Sequence, residues 1–241
     1  MKHARWQVEG SEQVFDGRLD GDRLVADGKS FALDAVRLLP PVVPTKLICV
    51  GKNYVDHAAE MGGAVPERPL LFFKPPSALN APGAPIRLPD SGRVDFEGEV
   101  AVVIVRRCKD VPAAEAASVI WGYTAFNDVS DRQAQAWEGN WVRAKGFDTS
   151  ACLGPVLATP DELPAAISVI TRVNGEVRQR GDTSQLAFSI PALIETVSRV
   201  MTLERGDVIA TGTPAGVGPL TSGDVVEVEV SGVGVLRNPV A

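Results

Sequence analysis

The sequence predicts an α+β fold that is mainly β, with short helices and a small β appendage at its N-terminal end. The 23 glycines and 18 prolines fit many short elements joined by specific turns better than they fit long helices. The apolar runs are themselves short, and several alternate with polar residues or end at Gly, Asp or Asn, as strands do. At 241 residues and 45% hydrophobic, the chain can bury a sizeable core.

Residues 1 to about 40 alternate short apolar pieces (Trp6-Gln7-Val8, Val14-Phe15, Leu24-Val25, Phe31-Ala32-Leu33) with Gly-Asp and Asp-Gly turns, which gives a small β subdomain over 1–43. Pro40-Pro41-Val42-Val43-Pro44 reads as a stiff linker, because proline fixes φ and favours extended backbone. The remainder, 44–241, is the second unit.

Charge and cysteine usage exclude several classes. The net charge is −6 and the 24 basic residues are scattered, which argues against a nucleic-acid or anionic-membrane surface. Cys49, Cys108 and Cys152 are odd in number and lack a CxxC pair, so neither a disulfide framework nor a zinc knuckle is suggested. No apolar h-region follows Met1 to Trp6, and no window approaches the roughly 18 apolar residues needed to span a bilayer. The expectation is a cytoplasmic protein.

The most informative stretch is Asp95-Phe96-Glu97-Gly98-Glu99 followed by the apolar run Val100–Val105. A strand sends residues i and i+2 to one face, so Glu97 and Glu99 point the same way at the mouth of a strand buried on both sides. Like charges that close are either solvated at a strand end or neutralised by a cation, and a hard divalent ion such as Mg2+ or Mn2+ suits oxygen ligands. Asp128 ends the next strand, Trp121–Phe126 and beyond, where it is either a third acidic group at the mouth or the cap of the following helix, a role open also to Ser130. On that helix Arg132 and Gln135 share a face, one a fork for a carboxylate and the other an amide.

Other segments supply candidates in chain order. After the strand Lys46–Gly51 a helix starts beyond Asn53, on which His57 and Glu60 are i and i+3, so that either Glu60 orients the imidazole as a general base or the two form a surface pair. Gly62-Gly63 then supplies a hinge for a lid. Leu70–Phe73 is a strand ending in Lys74, held rigidly by the following prolines, which either contacts substrate or caps the strand end against solvent. Val111–Ile120 is an amphipathic helix with Pro112 in its first turn, and Ser189-Ile190-Pro191 opens an apolar helix to about Met201. Thr171–Gln179 is a hairpin turning at Asn174-Gly175. Gly206–Ala210 enters a Gly-rich loop, Thr211–Gly218, that lacks the Lys-Ser/Thr of a phosphate loop and reads as close backbone approach to a small ligand, with Thr213 as a contact.

Seven of these motifs, taken in order, resemble the fumarylacetoacetate hydrolase family: Gly51-x-Asn53-Tyr54-x-x-His57-x-x-Glu60, Phe73-Lys74-Pro75, Phe96-Glu97-Gly98-Glu99, Gly122-Tyr123 through Asn127-Asp128-x-Ser130-x-Arg132-x-x-Gln135, Lys145-x-Phe147-Asp148-Thr149, Val173-Asn174-Gly175-Glu176, and Gly206–Ile209 with Thr211–Gly218. The similarity runs from about residue 44 to 241. It implies a mixed β-sandwich roll, a homodimer and a Mg2+ or Mn2+ site on Glu97, Glu99 and Asp128, with a His57–Glu60 dyad and Lys145 against the substrate. The hydrolase that names the family carries a further aspartate on the metal where this chain has Asn53, and a larger N-terminal domain. The similarity is thus to its shorter members: acylpyruvases, oxaloacetate decarboxylases and hydroxyheptadienedioate isomerases. The implied activity is metal-dependent C–C hydrolysis of an acylpyruvate-type 2-oxo acid, with decarboxylation or isomerisation as alternatives and metal binding without turnover as a third.

Overall fold

The structure, a computed structural model, describes residues 1–241. A twelve-stranded sheet dominates it, beside a four-stranded sheet and a three-stranded ribbon. At the centre lies the strand Gly98–Ile104, all of whose residues are buried. Its neighbours are Ile120–Asp128 on one side and Val208–Ala210 on the other, both antiparallel. Val208–Ala210 pairs parallel with Leu47–Gly51, and Leu70–Lys74 closes that edge.

The central strand is apolar without alternation because both of its faces are covered. Ala101 and Val103 pack with Leu47, Phe126 and Leu153, whereas Val102 and Ile104 pack with Leu193, Ile194 and Val197. Those last three lie on the helix Ile190–Val200, which has proline in its first turn as expected. Nearer the mouth, Val100 joins a 23-residue cluster shared with Val169, Val226 and Val228 of the four-stranded sheet.

The N-terminal strands extend the large sheet. Ile120–Asp128 pairs with Ala151–Ala158, and the latter pairs with Lys2–Val8 through Lys2 opposite Ala158 and His3 opposite Leu157. Val14–Asp20, Arg23–Ala26 and Lys29–Ala32 follow in order. Trp6 anchors this layer, with ring centroids 5.8 Å from Phe15 and 5.7 Å from Phe31. The hairpin at Asn174-Gly175 forms between Ser168–Val173 and Glu176–Asp182, and both turn residues have positive φ, 52° and 83°.

One helix differs from expectation. Ala113–Val119 is a 3-10 helix, and its buried residues, Ala116 and Val119, are three apart. A 3-10 helix stacks i and i+3 on one line, so this narrower face suits a two-residue contact better than an α-helical stripe does. No helix is long and apolar enough to cross a membrane.

Gly98 sets how closely the two larger sheets approach. A Cβ there would lie 1.9 Å from Thr171 Oγ1 and 3.3 Å from a Val228 methyl. Gly98→Ala is therefore expected to lower stability by about 1–3 kcal/mol, the usual range for overpacking. Gly139→Ala, which adds a methyl in open space, serves as the control. Urea unfolding reads both, and a Gly98→Ala chain as stable as its control contradicts the contact.

Candidate functional site

The three acidic residues converge because of strand register. Gly98 pairs with Asn127, and the Asp128 backbone N–H donates to the Glu97 carbonyl at 2.8 Å, so Glu97, Glu99 and Asp128 meet at one end of two neighbouring strands. One carboxylate oxygen from each lies within 4.8 Å of the others, and all three residues are buried. Asp128 is free for this role because Asp131 caps the next helix, accepting from the Ala134 N–H at 3.0 Å. Neither Asp128 nor Ser130, the two candidates read from the sequence, is the cap.

Four cationic contacts surround the trio. Lys145 Nζ donates to Glu97 Oε2 and to Asp128 Oδ2, both at 2.8 Å. Arg132 donates from Nε to Asp95 at 2.8 Å and from Nη1 to Gln135 at 2.9 Å, while its Nη2 lies 2.6 Å from Glu97 Oε1. Lys74 Nζ lies 2.8 Å from Asp128 Oδ1, but its three N–H bonds go to Val129 O, Lys145 O and Ser150 Oγ. Asp128 Oδ1 is therefore a buried oxygen without a hydrogen bond. Glu99 accepts only from the Gly212 N–H, at 2.8 Å.

The two glutamates titrate in opposite directions. Burial alone raises both. At Glu97 the charges of Lys145 and Arg132 outweigh burial and hold the carboxyl well below the ordinary range. At Glu99, burial and the negative charges of Asp128 and Glu97 push the carboxyl well above it. The trio is short of positive charge on the Glu99 side and carries an orphan oxygen on Asp128. An all-oxygen donor set with those two deficits fits a hard divalent cation.

A cavity of about 510 Å3 opens over this cluster. His57 and Glu60 line it, both from the short helix Val55–Glu60. Glu60 Oε2 lies 3.0 Å from His57 Nδ1, and Glu60 Oε1 accepts from the Gly216 N–H at 3.0 Å. With Nδ1 donating to Glu60, Nε2 keeps the free lone pair of a base. Gly62 and Gly63 close this helix through backbone bonds to Ala59 O and Ala58 O, so the pair serves as a helix end. Met61, Ala136 and Trp141, from the segments following the dyad helix and Gln135, supply part of the outer wall.

The Gly-rich loop borders the cavity through Thr213 and Val217. Its N–H groups at Gly212 and Gly216 hold Glu99 and Glu60. Gly216 has φ 102°, and a Cβ there would sit 2.0 Å from Arg178 O, so only glycine brings that N–H to Glu60. Thr213 does line the cavity, but its hydroxyl donates to Gly98 O and accepts from Gln179.

Arg132, Gln135 and Lys145 also line the cavity, whereas Lys74 does not. Lys74 was expected to contact substrate; it is instead sealed beneath Asp128, with a fully buried side chain and every donor committed. Three residues escaped the sequence reading. Asp95, bound by Arg93 and Arg132, continues the alternation of Glu97 and Glu99 one step outward, and that spacing was its available signal. Gln179 bonds Gly98 N–H and Thr213 across 81 and 34 residues, and nothing local marks it. Lys52 lies on the cavity wall.

Residues 46–241 match the fumarylacetoacetate (FAA) hydrolase C-terminal family. The oxaloacetate tautomerase YisK of Bacillus subtilis is 40% identical over 225 residues, covering 87% of this chain and 75% of that protein. Among solved structures, 5-carboxymethyl-2-hydroxymuconate delta-isomerase from Mycobacterium smegmatis is similar with a TM-score of 0.91 at 48% identity, over 100% of this chain and 98% of that one. Maleylpyruvate hydrolase from Sphingobium sp. SYK-6, in complex with manganese (II) ion and pyruvate, has a TM-score of 0.86 at 30% identity, over 100% and 99% of the two chains.

Lys74→Met tests the reassignment of that lysine. Removing Lys74 takes one of the two cations from the buried Asp128 and leaves Val129 O, Lys145 O and Ser150 Oγ without this donor, and losing one partner of a buried ion pair costs about 3–5 kcal/mol. Chemical denaturation of the variant should register that loss. Unchanged stability with a raised KM would return Lys74 to the substrate.

Proposed function

This chain belongs to the fumarylacetoacetate hydrolase C-terminal family, and from that premise we propose that it is a divalent-metal-dependent enzyme that moves a proton next to the 2-oxo group of a small acid, a tautomerase or isomerase. The observation that carries this reading is the His57–Glu60 dyad in the wall of a cavity that is also lined by Glu97 and Glu99, with the buried Asp128 carboxylate beside them. Relatives named for oxaloacetate tautomerisation and for hydroxymuconate isomerisation support the reaction class.

Glu97, Glu99 and Asp128 would hold the ion, and a Mg2+ or Mn2+ ion bound there supplies Lewis-acid polarisation of the 2-oxo oxygen. In ketonisation His57 Nε2 takes the proton of the enol hydroxyl and delivers it to the neighbouring carbon, so that O–H is lost, C–H is formed and the C=C–OH unit becomes C–C=O, while Glu60 fixes the tautomer and steadies the imidazolium. Lys145 and Arg132 keep positive charge where negative charge develops, and Gln135 offers its amide to the substrate. The reading places the chemistry in 44–241 and leaves 1–43 as a β subdomain.

Hydrolysis of a C–C bond in an acylpyruvate is the second reading, supported by the similarity to maleylpyruvate hydrolase. There His57 would draw its proton from water.

The decisive assay follows ketonisation of enol-oxaloacetate alongside hydrolysis of acetylpyruvate. Under the first reading EDTA abolishes ketonisation, Mn2+ or Mg2+ restores it, and His57→Ala lowers kcat by about 10²- to 10⁴-fold. Turnover that resists EDTA, or a His57→Ala enzyme at the wild-type rate, overturns it. Acetylpyruvate hydrolysis with the higher kcat/KM favours the second. Independently of turnover, Glu99→Gln should weaken Mn2+ binding by at least tenfold in a calorimetric titration; unchanged affinity removes Glu99 from the ligand set.

A further inference from the structure

Deepening the reading above, on which it rests, we propose that Lys52 recognises a second carboxylate at the far end of the substrate, so that the site prefers dicarboxylic 2-oxo acids to monocarboxylic ones. The lysines and arginines lining the cavity are Lys52, Arg93, Arg132 and Lys145. Three are committed. Lys145 bridges Glu97 and Asp128, Arg132 spans Asp95 and Glu97, and Arg93 grips both oxygens of Asp95 at 2.7 and 3.1 Å. Lys52 makes no ion pair and donates no side-chain hydrogen bond, so its ammonium is the cation in the wall left for an incoming anion.

The backbone supports the same assignment. Lys52 follows the strand Leu47–Gly51 with φ 55°, in the left-handed region that lysine rarely adopts. Asn53 holds it there: buried itself, it donates from Nδ2 to Phe188 O and Thr211 O and accepts from the Phe188 N–H. Glycine at position 52 would relieve this conformation, and lysine there places a charge on the cavity wall at the expense of local strain. Across from it, a Cβ on Gly63 would come within 3.2 Å of Lys52 Nζ, so the glycine leaves the ammonium its space.

Charge places the second carboxylate at this end. A second carboxylate that leaves water for a partly closed cavity pays a cost unless a cation meets it, and Lys52 is the lining cation that no acidic side chain holds. A substrate with one carboxylate has nothing to offer Lys52.

The probes are oxaloacetate and 2-oxosuccinamate, which carries an uncharged amide of the same size in place of the far carboxylate. Binding, with Mg2+ present, is read by quenching of tryptophan fluorescence, since Trp141 stands in the wall. Lys52→Met should weaken oxaloacetate binding about tenfold or more, the value of a charge-assisted contact, and leave 2-oxosuccinamate within twofold. Lys52→Arg should retain the preference. Lys52→Gly, which relaxes the backbone, should fold at least as well as wild type and lose the preference too. Equal weakening of both ligands, unchanged oxaloacetate affinity in the Met and Gly variants, or a wild type that does not favour oxaloacetate over the amide overturns the proposal. Selective binding of oxaloacetate without its ketonisation supports Lys52 and overturns the reaction instead.

Discussion

Three carboxylates share the mouth of the central strand, each buried and within 4.8 Å of its partners by one oxygen. Two unit charges about 4 Å apart at an effective dielectric of about 20 repel by about 4 kcal/mol, so the cluster cannot persist without neutralisation. The surrounding side chains answer that demand unevenly. Lys145 and Arg132 serve Glu97, Lys145 and Lys74 serve Asp128, and Glu99 has a single backbone N–H. The remaining deficit is a matter of both charge and coordination, and it is what makes this end of the sheet fit a divalent cation.

Rigidity follows from the same arrangement. The acidic residues sit at the buried ends of two paired strands, and the two faces of the central one are packed against different clusters, so they cannot swing apart to relieve repulsion. Gly98 lets the four-stranded sheet close over them, and Gln179 bonds to the Gly98 N–H from that sheet. The dyad is mounted differently. His57 and Glu60 come from a six-residue helix, tied to the Gly-rich loop through Gly216. The buried acidic cluster is thus held rigidly, and the His57–Glu60 pair faces the same cavity from a short helix.

The strand periodicity around Glu97 and Glu99, the i and i+3 spacing of His57 and Glu60, and the Asn174-Gly175 turn were legible in the sequence because each rests on a local rule. What escaped it depends on pairing between distant segments. Lys74 has the same local context whether it faces substrate or lies under Asp128, and only the closure of residues 145–150 over it decides. The cap at Asp131, in place of Asp128, depends on where the strand ends and the helix begins, which shifts by a residue or two without local signal. The left-handed backbone at Lys52 is imposed by Asn53 reaching Phe188 and Thr211, more than a hundred residues away.

Occupancy of the acidic cluster is the most direct test. Crystals grown with Mn2+ and measured near its absorption edge should show one anomalous peak within direct coordination distance of an oxygen of each of Glu97, Glu99 and Asp128. An absent peak at saturating Mn2+ would contradict the account.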